Sequence, residues 1–199
     1  MELVAGNQRL IEAGLADQAR VELLDYREIE DEDGFDALVS VGMFENVGAA
    51  LLGTYFRKAV ELLRPGGVFL NHGIANKATI KRRKGPTFTQ RYVFPDGELT
   101  PINISLHAAE EAGLEVRDVE SLREHYALTL RHWVRRLEAA HEEALHYISE
   151  PTYRVWRLFM SASAYGFSIG NLNVYQSLLV KQGQVGASNL PLTRTDWYR

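Results

Sequence analysis

The chain has 199 residues, 46% of them hydrophobic, with 22 Lys+Arg against 26 Asp+Glu and a net charge of −4. This length suggests one domain around one well-packed core, and the acidic balance argues against a nucleic-acid binder held mainly by charge. There is no cysteine for a disulfide framework or a thiolate metal site, the His residues show no HExxH-type spacing, and no apolar run approaches a membrane span.

In chain order, "AGNQRLIEAGL" (5–15) predicts a short helix with Gly14 near its end. "RVELLDY" (20–26) predicts a strand. "FDALVSVG" (35–42) predicts a second, nearly continuous in apolar and small residues, the pattern of a strand covered on both faces. "AALLGTYFRKAVELLRPGG" (49–67) predicts a helix that stops at Pro65, with Gly66 and Gly67 forming the turn. "GVFLNHGI" (67–74) is the next strand, which completes a βαβ unit and makes the sheet parallel there. Residues 77–101 read as loop-rich and locally basic. A helix (104–113), a strand (114–122) and a long amphipathic helix (126–148) follow. A helix opened by a proline in its first turn (151–167) and a final strand (172–181) come next, before an irregular tail. No signal peptide is visible, so a cytoplasmic location is expected.

Ligands of open parallel sheets bind outside the carboxyl ends of the strands. Glu45, in "SVGMFENVG" (40–48), follows one strand end. His72 lies at the end of the next, and Asp25, Tyr26 and Arg27 end the strand before, so three strand ends offer polar groups to one rim. Each has an ordinary explanation. A Glu after a strand interacts well with the dipole of the helix it opens, and a His in an apolar strand is often a satisfied core residue. Together they are a stronger functional signal than either alone. The run Lys81, Arg82, Arg83, Lys84 is by default a solvated loop. The stripe Tyr153, Trp156 and Phe159 is by default core, with the lining of an acyl channel as the alternative.

"FDALVSVGMFENVG", "LRPGGVFLNHGI", "RYVFPDGEL", "EHYALTLRHWVRRLEA" and "YRVWRLFMSASAYGFSIGNLNVYQSLLVK" resemble the cyclopropane-fatty-acyl-phospholipid synthase family, a group that includes the mycolic acid cyclopropane synthases. The resemblance covers residues 1–181. It implies an α/β class I methyltransferase fold, Rossmann-like, with helices on both faces of the sheet. It places an acyl-substrate-binding insertion and helices within 75–170, and it implies S-adenosylmethionine as cofactor. Position by position, it implies that Glu45, His72 and Tyr126 surround a bound bicarbonate, with Ile74 supplying a main-chain contact. It implies that Asp25, Tyr26 and Arg27 border the adenine, and that Val41 and Gly42 lie along the cofactor. No metal is expected, on the His spacing and the absence of Cys.

The sequence departs from the family pattern in places. Asn46 stands where the family usually has His, and "NHGI" replaces the commoner "LHTI" around His72. The family's glycine-rich cofactor loop, its ribose-binding strand and its N-terminal cysteine have no counterpart in the 199 residues. The chain is therefore expected to be the C-terminal, cofactor-loop-lacking part of a longer enzyme.

The activity so implied is methyl transfer to the double bond of an unsaturated phospholipid acyl chain, with bicarbonate as general base and a cyclopropane ring as product. A methyl-branched lipid, another small acceptor, or an inactive truncated fragment are the alternatives that the residues leave open. The implied partners are unsaturated phospholipid acyl chains at the inner membrane surface, with Lys77 and the 81–84 run meeting anionic headgroups. A homo-oligomer is a further expectation.

Overall fold

In the computed structural model, which describes residues 2–80, 85–188 and 190–195, the chain separates into two units, Met1–Glu32 and Asp33–Arg199. In the first, helix α1 (Glu2–Glu12) ends in a turn through Gly14, whose φ of 68° suits a residue without a side chain. The strand predicted over 20–26 is not formed. Extended backbone becomes a strand only when a neighbour supplies ladder hydrogen bonds, and Val21 instead exchanges both its backbone groups with the Asn7 amide, at 2.8 and 2.9 Å. Asp25 then caps a short 3-10 turn, Tyr26–Glu28.

The second unit begins with strand β1 (Phe35–Val41), followed by a single helical turn, α2 (Phe44–Val47), and helix α3 (Leu52–Leu62). Strand β2 (Leu63–Asn76), helices α4 (Phe88–Tyr92) and α5 (Ile102–Glu111) and strand β3 (Leu114–Ser121) come next. Helices α6 (Arg123–Ala139), α7 (His141–Leu145) and α8 (Glu150–Ser168) lead to strand β4 (Leu172–Lys181). The sheet runs β1-β2-β4-β3. β1 is parallel to β2, as the βαβ pattern requires, while β4 is antiparallel to both β2 and β3, so the sheet is mixed.

Helices cover both faces. On one, Tyr55 and Phe56 of α3 stack edge-on at 5.0 Å and pack against Phe69 of β2, and the Tyr55 hydroxyl donates to Asn71 Oδ1 at 2.9 Å. On the other, Ala127 and Leu130 of α6 and Met160, Ala164 and Phe167 of α8 form a cluster with Val174 of β4, and Ile74 of β2 packs against it. Leu179, Val180 and Val174 are fully buried.

β1 departs from its expected cover on both faces. Val39 and Val41 are 67% and 66% exposed, because β1 is an edge strand and nothing described in Asp33–Arg199 lies over that row. α3 stops at Leu62 rather than Pro65, since a residue before proline, here Arg64, is driven out of the helical region. The single helix expected over 126–148 begins earlier, at Arg123, and breaks at Ala140 (φ −103°, ψ 27°) into α6 and α7. The basic run at 81–84 lies outside the described residues. Among the described residues, no helix is long and apolar enough to cross a membrane.

Candidate functional site

β1 ends at Val41, but β2 runs on past it. The last rung between them is Gly42 N–H donating to the His72 carbonyl at 2.9 Å. Alternate residues of a strand turn their backbone groups to the same side. The Ile74 N–H therefore also faces the β1 side, where the strand no longer offers an acceptor. Glu45 fills that place, its Oε1 accepting from Ile74 N at 2.6 Å. Gly42, with φ 65°, turns the chain out of β1 into α2, which carries the carboxylate.

Two contacts hold Glu45 there. Gly73 has no side chain, and a Cβ on it would overlap the Phe44 ring and stand 3.1 Å from the Glu45 carboxyl carbon. The glycine in "NHGI" thus permits α2 to lie on the β2 backbone. From the other direction, Glu98 N–H donates to the Glu45 carbonyl at 2.9 Å, and Glu98 Oε2 accepts from Ala49 N at 3.2 Å. Glu45 is only 8% exposed, and among the described residues its Oε2 has no partner.

His72 sits beside this carboxylate on β2, 9% exposed. Its Nε2 is 3.0 Å from the Tyr126 hydroxyl of α6. Its Nδ1 is 3.2 Å from Nε2 of Gln176, its register partner on β4. The Tyr126 ring lies 5.9 Å from the His72 ring and 5.6 Å from Phe167. Burial raises the Tyr126 hydroxyl above its ordinary pKa, and the Glu45 carboxylate adds to the shift.

A buried carboxylate with one oxygen unpartnered costs free energy unless a donor reaches it. Bicarbonate has the matching chemistry: a hydroxyl to donate to Glu45 Oε2, and an oxygen to accept from the Tyr126 hydroxyl that His72 holds in place. The end of β1 also suits a ligand that approaches backbone closely, since a Cβ on Gly42 would meet nothing within 4 Å. Val41 beside it is exposed. These positions fit the S-adenosylmethionine that the resemblance implies.

The structure brings Glu45, His72, Ile74 and Tyr126 together. It places Asp25, Tyr26 and Arg27 in the other unit and not at a strand end. There Asp25 accepts from Arg27 N at 2.9 Å and pairs with its guanidinium at 2.6 Å, which holds the Asp25 carboxyl at about 2. Of the aromatic stripe, Tyr153 is buried core. Phe159 meets Trp156 and Phe94, both at 5.8 Å, with Trp156 and Phe94 partly exposed. Gln176 and Asn71 escaped the sequence reading. Their signal is a polar residue inside an apolar strand, but its meaning depends on a register that only the antiparallel β2–β4 pairing reveals.

The family model described as Mycolic acid cyclopropane synthetase matches residues 3–177. A probable fatty acid methyltransferase of Pseudomonas putida is 45% identical over all of this chain and 51% of its own length. A probable fatty acid methyltransferase of Mycobacterium tuberculosis, Rv3720, is 38% identical over 94% of this chain and 44% of its own. The mycolic acid cyclopropane synthase CmaA1, solved with SAH and CTAB, superposes with a TM-score of 0.75 at 29% identity, over 87% of this chain and 66% of that one. The chain thus spans about half the length of the curated relatives it matches, and its fold is that of the class I methyltransferases.

Proposed function

We propose, because the chain belongs to the mycolic acid cyclopropane synthetase family, that it carries the acceptor-side machinery of an S-adenosylmethionine-dependent methyltransferase acting on the double bond of an unsaturated phospholipid acyl chain. The observation that carries this reading is the unpartnered Glu45 Oε2, buried beside the His72–Tyr126 pair. An alkene acceptor gives up a carbon-bound proton only to a base held against the new methyl group, and this place can hold such a base.

S-adenosylmethionine, when bound, supplies an electrophilic methyl group. An alkene has no lone pair and is a poor nucleophile, so the protein's task is positioning and exclusion of water. The charge that develops on the acyl chain can be met by the face of an aromatic ring, and Tyr126 offers one beside the pocket. Loss of a proton from the new methyl group then closes a cyclopropane ring. Bicarbonate is the base assigned to that proton. Glu45 Oε2 would accept its hydroxyl, and the Tyr126 hydroxyl, held in place by His72 Nε2, would orient its oxygens.

A second reading, a methyl-branched product, is favoured by the 45% identity to a probable fatty acid methyltransferase. The protein sites are shared; the cationic chain would instead lose a proton elsewhere to give an alkene, which an added hydride donor would then reduce to the methyl branch. In both readings the substrate lies at a membrane surface, where Lys77 and the basic run after it would meet anionic headgroups.

The test is to incubate the purified protein with S-adenosylmethionine carrying a labelled methyl group and a monounsaturated phospholipid, with and without a hydride donor. The released fatty acids are then examined by proton NMR. High-field ring protons carrying the label support cyclopropanation, and a labelled methyl doublet supports the branched product. Label found only on headgroup or small-molecule acceptors would overturn both.

A further inference from the structure

Gln176 lies on β4 directly across from His72, so both side chains stand on the same face of the sheet. Its amide meets Nδ1 at 3.2 Å, while Nε2 meets the Tyr126 hydroxyl at 3.0 Å. A neutral imidazole has one donor and one acceptor nitrogen, and the partner of one nitrogen fixes the role of the other. The amide group facing Nδ1 is the NH2, which only donates. With that NH2 as the donor, Nδ1 keeps its lone pair and the ring proton goes to Nε2, an assignment that follows from the orientation of the amide.

From these contacts we infer that Gln176 is a positioning residue, which sets the His72 tautomer so that Nε2–H donates to Tyr126 and frees the Tyr126 O–H to donate into the Glu45 pocket. This rests on the function proposed above only for its use, not for the proton arrangement itself. The opposite tautomer would spend the Tyr126 proton on Nε2. The pocket would then lack a hydroxyl donor beside the one carboxylate oxygen that has no partner. A hydrogen-bond chain of this kind settles a direction at its outer end, and β4 supplies that end. The charged and titratable groups that bear on it are Glu45 and Tyr126, and Tyr126 stays neutral because burial and Glu45 both oppose its phenolate.

Two substitutions of similar length separate positioning from packing. Gln176→Glu offers only acceptors, so it draws the proton to Nδ1 and reverses the chain. Gln176→Met fills the space and imposes no direction. In the 199-residue chain labelled with ¹⁵N-histidine, the His72 resonances are expected to show Nδ1 unprotonated and Nε2 protonated. Gln176→Glu is expected to exchange them. In the purified protein, Gln176→Glu should lower kcat by roughly 10²-fold, the low end of what a positioned acid–base group contributes, with KM for lipid little changed. Gln176→Met should fall between the two. A role in packing alone predicts the reverse order, with the hydrogen-bonding Glu the milder change. Wild-type His72 protonated on Nδ1 would overturn the inference, as would a Gln176→Glu spectrum identical to wild type. If the tautomers behave as stated but no methyl reaches any acyl chain, it is the proposed function that fails and not the proton arrangement.

Discussion

Glu45 does two jobs with its two oxygens. Oε1 replaces the missing strand partner of Ile74, and Oε2 is held ready for a donor. The first is structural and would be expected of any short acceptor at that point. The second is what a helix-dipole role for this residue cannot explain, because such a role needs no burial. The same place depends on Gly73. Gly73→Ala should push Phe44 off β2 and cost roughly 1–3 kcal/mol, the usual range for overpacking. A urea melt of the chain checks this, and an unchanged midpoint would show that Phe44 moves aside freely. Glu45, His72, Ile74 and Tyr126 were all legible in the sequence, through strand-end position and family resemblance. Gln176 was not, because cross-strand pairing is a long-range property with no local signature. The strand expected to end in Asp25, Tyr26 and Arg27 does not form for a related reason: β-rich composition says that a segment could be a strand, not that a neighbour exists to pair with it.

At the scale of elements, β2 and β4 are the frame on which the site is built, and their joints are specific. Lys181, at the end of β4, donates from Nζ to the carbonyls of Val60 and Leu63 at 2.7 Å each, satisfying orphan groups at the C-terminus of α3. Lys181→Met keeps the aliphatic stem and loses both bonds. It should destabilise the chain by about 1.5–3 kcal/mol, the range for charged hydrogen bonds, read as a lower denaturation midpoint with an unchanged m-value. The α7–α8 corner is pH-sensitive. His141 bonds Glu150 at 3.0 Å and Glu142 at 3.1 Å, with Arg154 also on Glu150 and the Tyr153 ring 4.5 Å away. Glu150, first, and Glu142 raise the His141 pKa against a smaller opposing effect of desolvation. A raised folded-state pKa stabilises fully below the unfolded value and is lost as pH rises through the folded one. A shallow fall in melting temperature is therefore expected as pH rises through and above neutrality, and His141→Gln should flatten it. A slope that survives the substitution would place its origin elsewhere. Element identities followed well from periodicity and boundaries less so. The capping box of α4, Thr87 with Gln90, stands in "TFTQ", inside a segment whose local basic character reads as loop. The break at Ala140 had no glycine or proline to announce it.

For the molecule as a whole, the exposed row on β1 sets the behaviour of the 199-residue chain. Val39 and Val41 stand on an edge strand whose described pairing is with β2 alone. Open apolar edges of this kind associate. The chain should sediment as more than a monomer, and Val39→Lys with Val41→Thr should shift it toward monomer; a monomeric wild type would contradict this. The fold class was readable from the βαβ pattern and the resemblance, while the antiparallel β4 and the exposure of β1 required the assembled sheet. The proposed function has the carboxylate at the end of β1 orient a bicarbonate base for methyl transfer to an acyl chain. The direct measurement is transfer of labelled methyl from S-adenosylmethionine to unsaturated phospholipid across a range of bicarbonate concentrations, for the purified protein and its Glu45→Gln variant. Wild-type turnover is expected to rise with bicarbonate and saturate. Glu45→Gln is expected to be slower by roughly 10²-fold or more and to be partly restored by added bicarbonate. Near-normal turnover of Glu45→Gln in bicarbonate-depleted buffer would contradict the proposed function.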